Sequence, residues 1–385
     1  MPGHQVHEGL ASALGGASST TPGIPVWAAG PASEQRPCAP SQPPVAAPRS
    51  GVVHHTHRED ASAQTSSAAS GEARVDASEH GLRIERLLAE GGMGAVYAAR
   101  RLETGERVAL KVLRWEHVGS SGIANRFVRE VRFARRIDHP NVCPVLADGT
   151  LGDGRPFFVM PLYQGSTLGE EVRRRGPLSV GRALAIADQI LAGLAAMHAA
   201  RVVHRDLQPD NVLLLERSAE AAGESDPAAE TAANDVVTVK LIDLGFAHEP
   251  GVDTGDGLTP DSPGALVGTL RFMSPEQATR SRAITERSDL FSVALLIYYA
   301  LTGELPFRGR TDLDVQIGIV RAAPIPLRRL RRDAPRTLEQ ALGRALAKHP
   351  DARFGSASEM RAALAAIASA ERAAGAHPRR VRSLH

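Results

Sequence analysis

The 385-residue sequence predicts an α+β fold in two lobes, an antiparallel sheet carrying one helix followed by a mainly helical part. Short alternating strands broken by glycines begin at Leu82, which is the period-2 signature of a half-buried sheet. One amphipathic helix interrupts them, and beyond Tyr163 the apolar spacing changes to the 3.6 period of helices.

Taken in order, residues 1–77 hold nine prolines within the first fifty positions and no sustained period, so disorder is expected there. The cluster His54, His55 and His57 lacks a cysteine or carboxylate framework for a metal and reads as part of a solvated linker. Strands follow as LRIERLLAE from Leu82, GAVYAARRL from Gly94 and ERVALKVL from Glu106, with Thr104-Gly105 turning between the last two. A helix is expected over Ile123–Ile137, with Phe127, Val131 and Ala134 on one face, then strands near Val142–Asp148 and Phe157–Met160. The expected sheet lobe therefore spans about 82–162 and the helical lobe about 163–366, with helices at Leu168–Arg175, Val180–Ala200, Asp289–Thr302, Leu338–Ala347 and Ser358–Ala368. Glu216–Asp235 is acidic and alanine-rich and reads as a disordered insert, and 367–385 as a basic, flexible tail with Arg379, Arg380 and Arg382.

Composition excludes several classes. Forty-five basic against 43 acidic residues leave +2, too little to drive binding of nucleic acid or anionic lipid. Cys38 and Cys143 alone cannot build a disulfide framework or a four-cysteine zinc site, and they fit a reducing compartment. The most apolar run, Leu290–Leu301, falls well short of the ~20 residues that cross a bilayer. Ala183–Val203 is longer, but Asp188, Gln189, His198 and Arg201 interrupt it, so no membrane span is expected. The first residues lack the basic and apolar regions of a secretory signal, and a cytoplasmic location is the expectation.

Four motifs carry chemistry. Leu88-Ala89-Glu90-Gly91-Gly92-Met93-Gly94-Ala95-Val96 lies between two strands, where glycines let backbone N–H groups approach phosphate with no Cβ in the way. Lys111, in Val108-Ala109-Leu110-Lys111, could hold phosphate charge if a carboxylate fixed it, and Glu130 on the following helix is the candidate. His204-Arg205-Asp206-Leu207-Gln208-Pro209-Asp210-Asn211 offers a carboxylate for a substrate hydroxyl and an amide for a metal. Leu241-Ile242-Asp243-Leu244-Gly245 sets an aspartate at a strand end, available to Mg²⁺. Each alone also fits a bland role: a turn, an exposed lysine, a surface glutamate. Their order and context argue against coincidence.

On these residues, about 82–366 of the chain resembles the eukaryotic-type protein kinases of the Ser/Thr kind that bacteria also use. The resemblance implies ATP with Mg²⁺, or Mn²⁺ in its place, and protein substrates with Ser or Thr acceptors. It makes Gly91 and Gly94 the phosphate loop, Val96 and Ala109 part of the adenine site, Lys111 and Glu130 the ion pair, and Asp206 the base. Asn211 and Asp243 become the metal ligands. Met160 is implied as gatekeeper, and the backbone of Pro161 and Tyr163 as the adenine edge. Gly268-Thr269, then Met273-Ser274-Pro275-Glu276, Asp289, and Arg353 as partner of Glu276 complete the match, with Thr269 expected to be structural.

The departures are Ala89 for the loop's first glycine, Gln208 for the lysine aimed at the γ-phosphate, Leu244 for phenylalanine and Ala294 for glycine. Gln208 exchanges a charge-assisted contact for a neutral one, a loss of about tenfold in rate. The alternative reading is a pseudokinase that binds nucleotide or a partner without transfer; against it, Lys111, Glu130, Asp206, Asn211 and Asp243 are all present. A small-molecule phosphotransferase would lack the Ser-Pro-Glu element. Thr254, Thr259 and Ser262 are candidate phosphoacceptors whose phosphate Arg205 could receive, and regulation is expected through the N-terminal segment or the acidic insert.

Overall fold

Strands β1 (Leu82–Glu90), β2 (Gly94–Arg101), β3 (Arg107–Leu113), β4 (Ala147–Thr150) and β5 (Pro156–Pro161) form one antiparallel sheet in the order β1-β2-β3-β5-β4. The computed structural model describes residues 75–215, 237–250, 269–279, 281 and 284–375. The histidine cluster, the acidic insert, the three candidate phosphoacceptors, Gly268 and the arginines of the tail lie outside the described residues, as does the N-terminal segment up to residue 74.

Alternation places Leu82, Ala99, Val108, Leu110 and Val112 in one buried cluster under the sheet, which Ala77 joins from the preceding chain. On the other face Leu113 and Phe158 pack on Phe127 and Val131 of helix α1 (Ser121–Ala134). This packing holds α1 across β3 and β5, so a residue on its inner face can reach a β3 side chain. The helix ends before Ile137, the predicted boundary. Arg136 and Ile137 close it with tight turns, their N–H groups donating to Phe133 and Ala134 carbonyls, and Ile137 drops into the helical lobe's core.

The expected strand near Val142–Asp148 is reduced to β4. Val142 instead makes a parallel bridge with Leu241, and Pro144 has no N–H to offer a ladder. Asn141 secures this crossing: its carbonyl accepts the Leu241 N–H at 2.8 Å, and its Nδ2 donates to the Val239 carbonyl at 2.9 Å and to Gln189 Oε1 at 3.0 Å.

The helical lobe begins with β6 (Gly165–Thr167) and α2 (Leu168–Arg175), opened by a capping box between Thr167 and Glu170. Next come α3 (Val180–Ala199), then β7 (Val212–Leu215) and β8 (Thr238–Leu241), which pair with β6 in the order β6-β7-β8. Helix α3 is long and apolar enough to cross a bilayer, yet Ile186, Ile190, Leu191 and Leu194 are buried in the lobe's core. The short α4 (Pro275–Ala278) precedes α5 (Glu286–Thr302), whose residues Ser288–Tyr298 are buried without a break. Gly303 ends α5 in the left-handed region at φ 72°, a conformation that favours glycine.

Helices α6 (Asp312–Arg321), α7 (Leu327–Leu330), α8 (Arg336–Ala345) and α9 (Ala357–Gly375) follow, and α9 lies along α3. The α6 helix was not predicted. Val315 and Ile319 are buried, but Leu313 and Ile317 on the other face are 64% and 49% exposed, so apolar residues on both sides blur the 3.6 period.

Candidate active site

β3 and α1 meet at one ion pair. Lys111 Nζ stands 2.9 Å from both Oε1 and Oε2 of Glu130, with Phe158 beneath the ammonium at 5.5 Å. The same Nζ reaches Asp243 Oδ1 across the cleft at 3.3 Å. Burial alone would lower the Lys111 pKa; the Asp243 and Glu130 carboxylates outweigh it and hold the ammonium charged, above the ordinary lysine range.

Asp206 lies in the loop between α3 and β7. Its Oδ2 accepts from Asn211 Nδ2 at 3.0 Å and Gln208 Nε2 at 3.4 Å, and Asn211 Nδ2 also donates to the Asp206 carbonyl at 2.8 Å. The other oxygen, Oδ1, is buried with no partner among the described residues, the condition of an atom awaiting a donor or a cation. Burial, reinforced by the nearby charge of Asp243, pushes the Asp206 carboxyl up to about 8. Burial likewise pushes Glu130 up to about 7 against the pull of Lys111. Asp243 goes the other way: burial would raise it, but Lys111 and the Gly245 N–H hold it below the usual carboxylate range. One ammonium shared among these carboxylates leaves surplus negative charge, which a divalent cation would relieve.

The backbone that presents these groups is unusual. Arg205 and Asp243 both have positive φ, 68° and 64°, in the left-handed region that L side chains seldom adopt. Neighbours enforce it. Asp289 on α5 accepts from the His204 N–H at 2.9 Å, the Arg205 N–H at 2.9 Å and His198 Nε2 at 2.8 Å. Gln277 donates to the Arg205 carbonyl at 2.6 Å, and the Gly245 N–H donates to Asp243 Oδ1 at 3.1 Å. A Cβ on Gly245 would crowd Asp243 Oδ1 at 3.0 Å and push aside the mobile end of Met93, so the glycine there is set by close approach.

The glycine-rich turn joins β1 and β2, with the Gly91 N–H donating to the Gly94 carbonyl at 2.9 Å. Leu88, Ala89 and Glu90 close β1, Ala95 and Val96 open β2, and Val96 stands opposite Lys111 in the ladder. Ala109 pairs with Met160 and Val108 with Pro161, which brings the floor of the sheet to the connection that carries Tyr163. Every site residue predicted from sequence is among the described residues; Lys111, Glu130 and Asp243 are brought into direct contact, Gln208 and Asn211 meet at Asp206, and Val96, Ala109, Met160 and Pro161 are placed only by the register of the sheet. Sequence reasoning missed Gln277 and His198, whose partners are distant in the chain. It also missed His117, whose ring nitrogen meets the Gly92 carbonyl at 2.7 Å. A histidine six residues past a strand lysine gives no signal of its own.

Among the described residues no cluster of three His, Cys, Asp or Glu side chains is placed to hold a metal alone. Asp243 and Asn211 offer oxygen ligands of the kind Mg²⁺ takes when phosphate oxygens and water complete its shell.

The chain matches the protein kinase domain family over residues 82–364. It is 36% identical over 301 residues to serine/threonine-protein kinase pkn3 of Myxococcus xanthus, covering 77% of this chain and 52% of that protein. It is 34% identical to serine/threonine-protein kinase PknB of Mycolicibacterium smegmatis, covering 73% and 42%. The chain therefore spans about half, or less, of the length of these curated relatives. The crystal structure of the Mycobacterium tuberculosis PknI kinase domain superposes with a TM-score of 0.54 at 25% identity, covering 74% of this chain and 96% of that one. With a cleft lined by a lysine–glutamate pair and convergent aspartates, and a family match over most of its length, the chain belongs to the protein kinase family.

Proposed function

We propose that this chain is a serine/threonine protein kinase that transfers the ATP γ-phosphate to protein Ser or Thr hydroxyls, and that 82–366 is one catalytic unit. The observation that carries the reading is the Lys111–Glu130–Asp243 ion cluster facing Asp206 across one cleft. Lys111, held by Glu130, neutralises triphosphate charge, and the backbone of Gly91–Gly94 approaches the phosphates. Asp206 orients the acceptor hydroxyl and takes its proton through Oδ1, the oxygen without a partner among the described residues. Asn211 and Asp243 would hold Mg²⁺, or Mn²⁺, which when bound neutralises the transferring phosphoryl group. Gln208, which donates to Asp206 Oδ2 at 3.4 Å, would offer the γ-phosphate a neutral donor in place of the family's lysine. Adenine sits between Val96, Ala109 and the Met160–Tyr163 segment.

Phosphorylation between Asp243 and Glu276, received by Arg205, is the proposed activating event, with the N-terminal segment or the acidic insert engaging a regulatory partner, in the cytoplasm. Incubation with labelled ATP, Mg²⁺ and a protein acceptor tests the reading. Asp206→Ala should lower incorporation by about 10²- to 10⁴-fold, and equal incorporation by the wild type and the variant would sink it.

A further inference from the structure

We infer that His117 is a positioning residue for the phosphate loop, fixing the direction of its amides and thereby the affinity for nucleotide; this rests on the kinase reading above. The Gly92 carbonyl can only accept, so at 2.7 Å the His117 Nε2 must carry the hydrogen and donate it. The next carbonyl, Met93, accepts from the Arg114 N–H at 3.1 Å. Two consecutive carbonyls of the glycine-rich turn are therefore held by the segment that follows β3.

In a trans peptide the C=O and the following N–H point in opposite directions. Turning the Gly92 and Met93 carbonyls toward residues 114–117 turns the Met93 and Gly94 amides the other way. Arg114 N–H to Met93 is a ladder contact that any residue but proline would make. The His117 bond is the one that depends on a side chain, and it acts on Gly92, where no Cβ restrains the backbone.

The latch is itself anchored. Trp115–His117 form a single 3-10 turn, and the guanidinium of Arg155 lies 6.0 Å from the Trp115 ring. Arg155 is 6% exposed and bound to Asp153, so the exposed Trp115 at the start of the turn has one fixed neighbour on its ring. The His117 side chain is only 18% exposed, with Glu116 at 3.5 Å from the same nitrogen, so the ring is confined near the carbonyl that it serves.

The test uses the full chain. Calorimetry gives Kd for a non-hydrolysable ATP analogue with Mg²⁺, and steady-state phosphotransfer gives KM for ATP and kcat. His117→Ala should raise Kd and KM about three- to tenfold, the worth of one hydrogen bond, with kcat within about twofold of wild type. His117→Gln, whose amide can donate to the same carbonyl, should restore both constants. A merely structural role would lower Tm and leave the KM-to-kcat ratio in place, and Gln would not rescue it. Unchanged Kd and KM in His117→Ala overturn the assignment, as does a Gln variant no better than Ala. Wild type that binds the analogue but transfers no phosphate overturns the kinase reading, and the latch is then judged on Kd alone. Wild type that binds no nucleotide overturns both.

Discussion

Arg353 sets both terminal nitrogens of its guanidinium on the Glu276 carboxylate, Nη1 to Oε1 at 2.7 Å and Nη2 to Oε2 at 2.8 Å. The remaining donors are also used, on the carbonyls of Ala347, Arg287 and Lys348, and the group lies 4.9 Å from the Phe291 ring. Ser288 adds a bond to Glu276 at 2.6 Å. Arg353→Leu leaves a buried carboxylate without its partner and should destabilise the chain by about 3–5 kcal/mol, read as a drop in the urea midpoint. Arg353→Lys should recover little, because a point ammonium cannot reproduce the fork.

The same pair makes the fold acid-sensitive. Burial would raise the Glu276 pKa, but Arg353 and Ser288 hold it below the ordinary glutamate value. Asp289 behaves alike: burial is outweighed by His198 and by N–H donors that include Arg205. A carboxyl whose folded pKa is depressed contributes stability above its unfolded pKa and loses it as pH falls through the folded one. Unfolding free energy should therefore fall steadily below the ordinary carboxylate range, and Glu276→Gln should be less stable at neutral pH but lose less on acidification. Parallel acid limbs for both proteins would refute this.

Gln208 donates to Asp206 Oδ2 at 3.4 Å, and under the proposed function an ammonium at this position would add charge against the γ-phosphate. Gln208→Lys should raise kcat about tenfold, the difference between a neutral and a charge-assisted contact. KM for ATP should hardly move. Single-turnover rates decide the matter, and a rate equal to wild type would show that the neutral amide already suffices.

A methyl group on Gly245 meets the Met93 terminus, which can move, but also Asp243 Oδ1 at 3.0 Å, which the Lys111 bond holds in place. Gly245→Ala should displace the Asp243 carboxylate and lower kcat by about ten- to a hundredfold, while Tm stays near that of wild type. Measuring both on one preparation separates misplacement from unfolding.

Much of this was legible in the sequence where the cause is local. β1 and α2 match their predicted ends, because the glycines that bound β1 at Gly81 and Gly91 and the Thr167 cap of α2 are neighbouring residues. The ion pair of Lys111 and Glu130 was readable because a strand and the next helix supply it. What stayed hidden depends on contacts between distant segments. Val142 bridges to Leu241 rather than extending β4, α6 is apolar on both faces, and His117 finds a carbonyl 25 residues earlier. The left-handed backbone at Arg205 was equally invisible, since Asp289 and Gln277 hold it from distant segments, and that at Asp243 goes with a local bond from the Gly245 N–H that the sequence does not announce.

Asn141 gives the molecule a fulcrum. The segment that leads from α1 into β4 is stitched to β8 through the Asn141 carbonyl, its side-chain amide and the Cys143 N–H, which donates to the Leu241 carbonyl at 2.9 Å. Any rotation of the sheet lobe against the helical lobe would therefore have to leave this segment with the helical lobe and bend the chain on its far side.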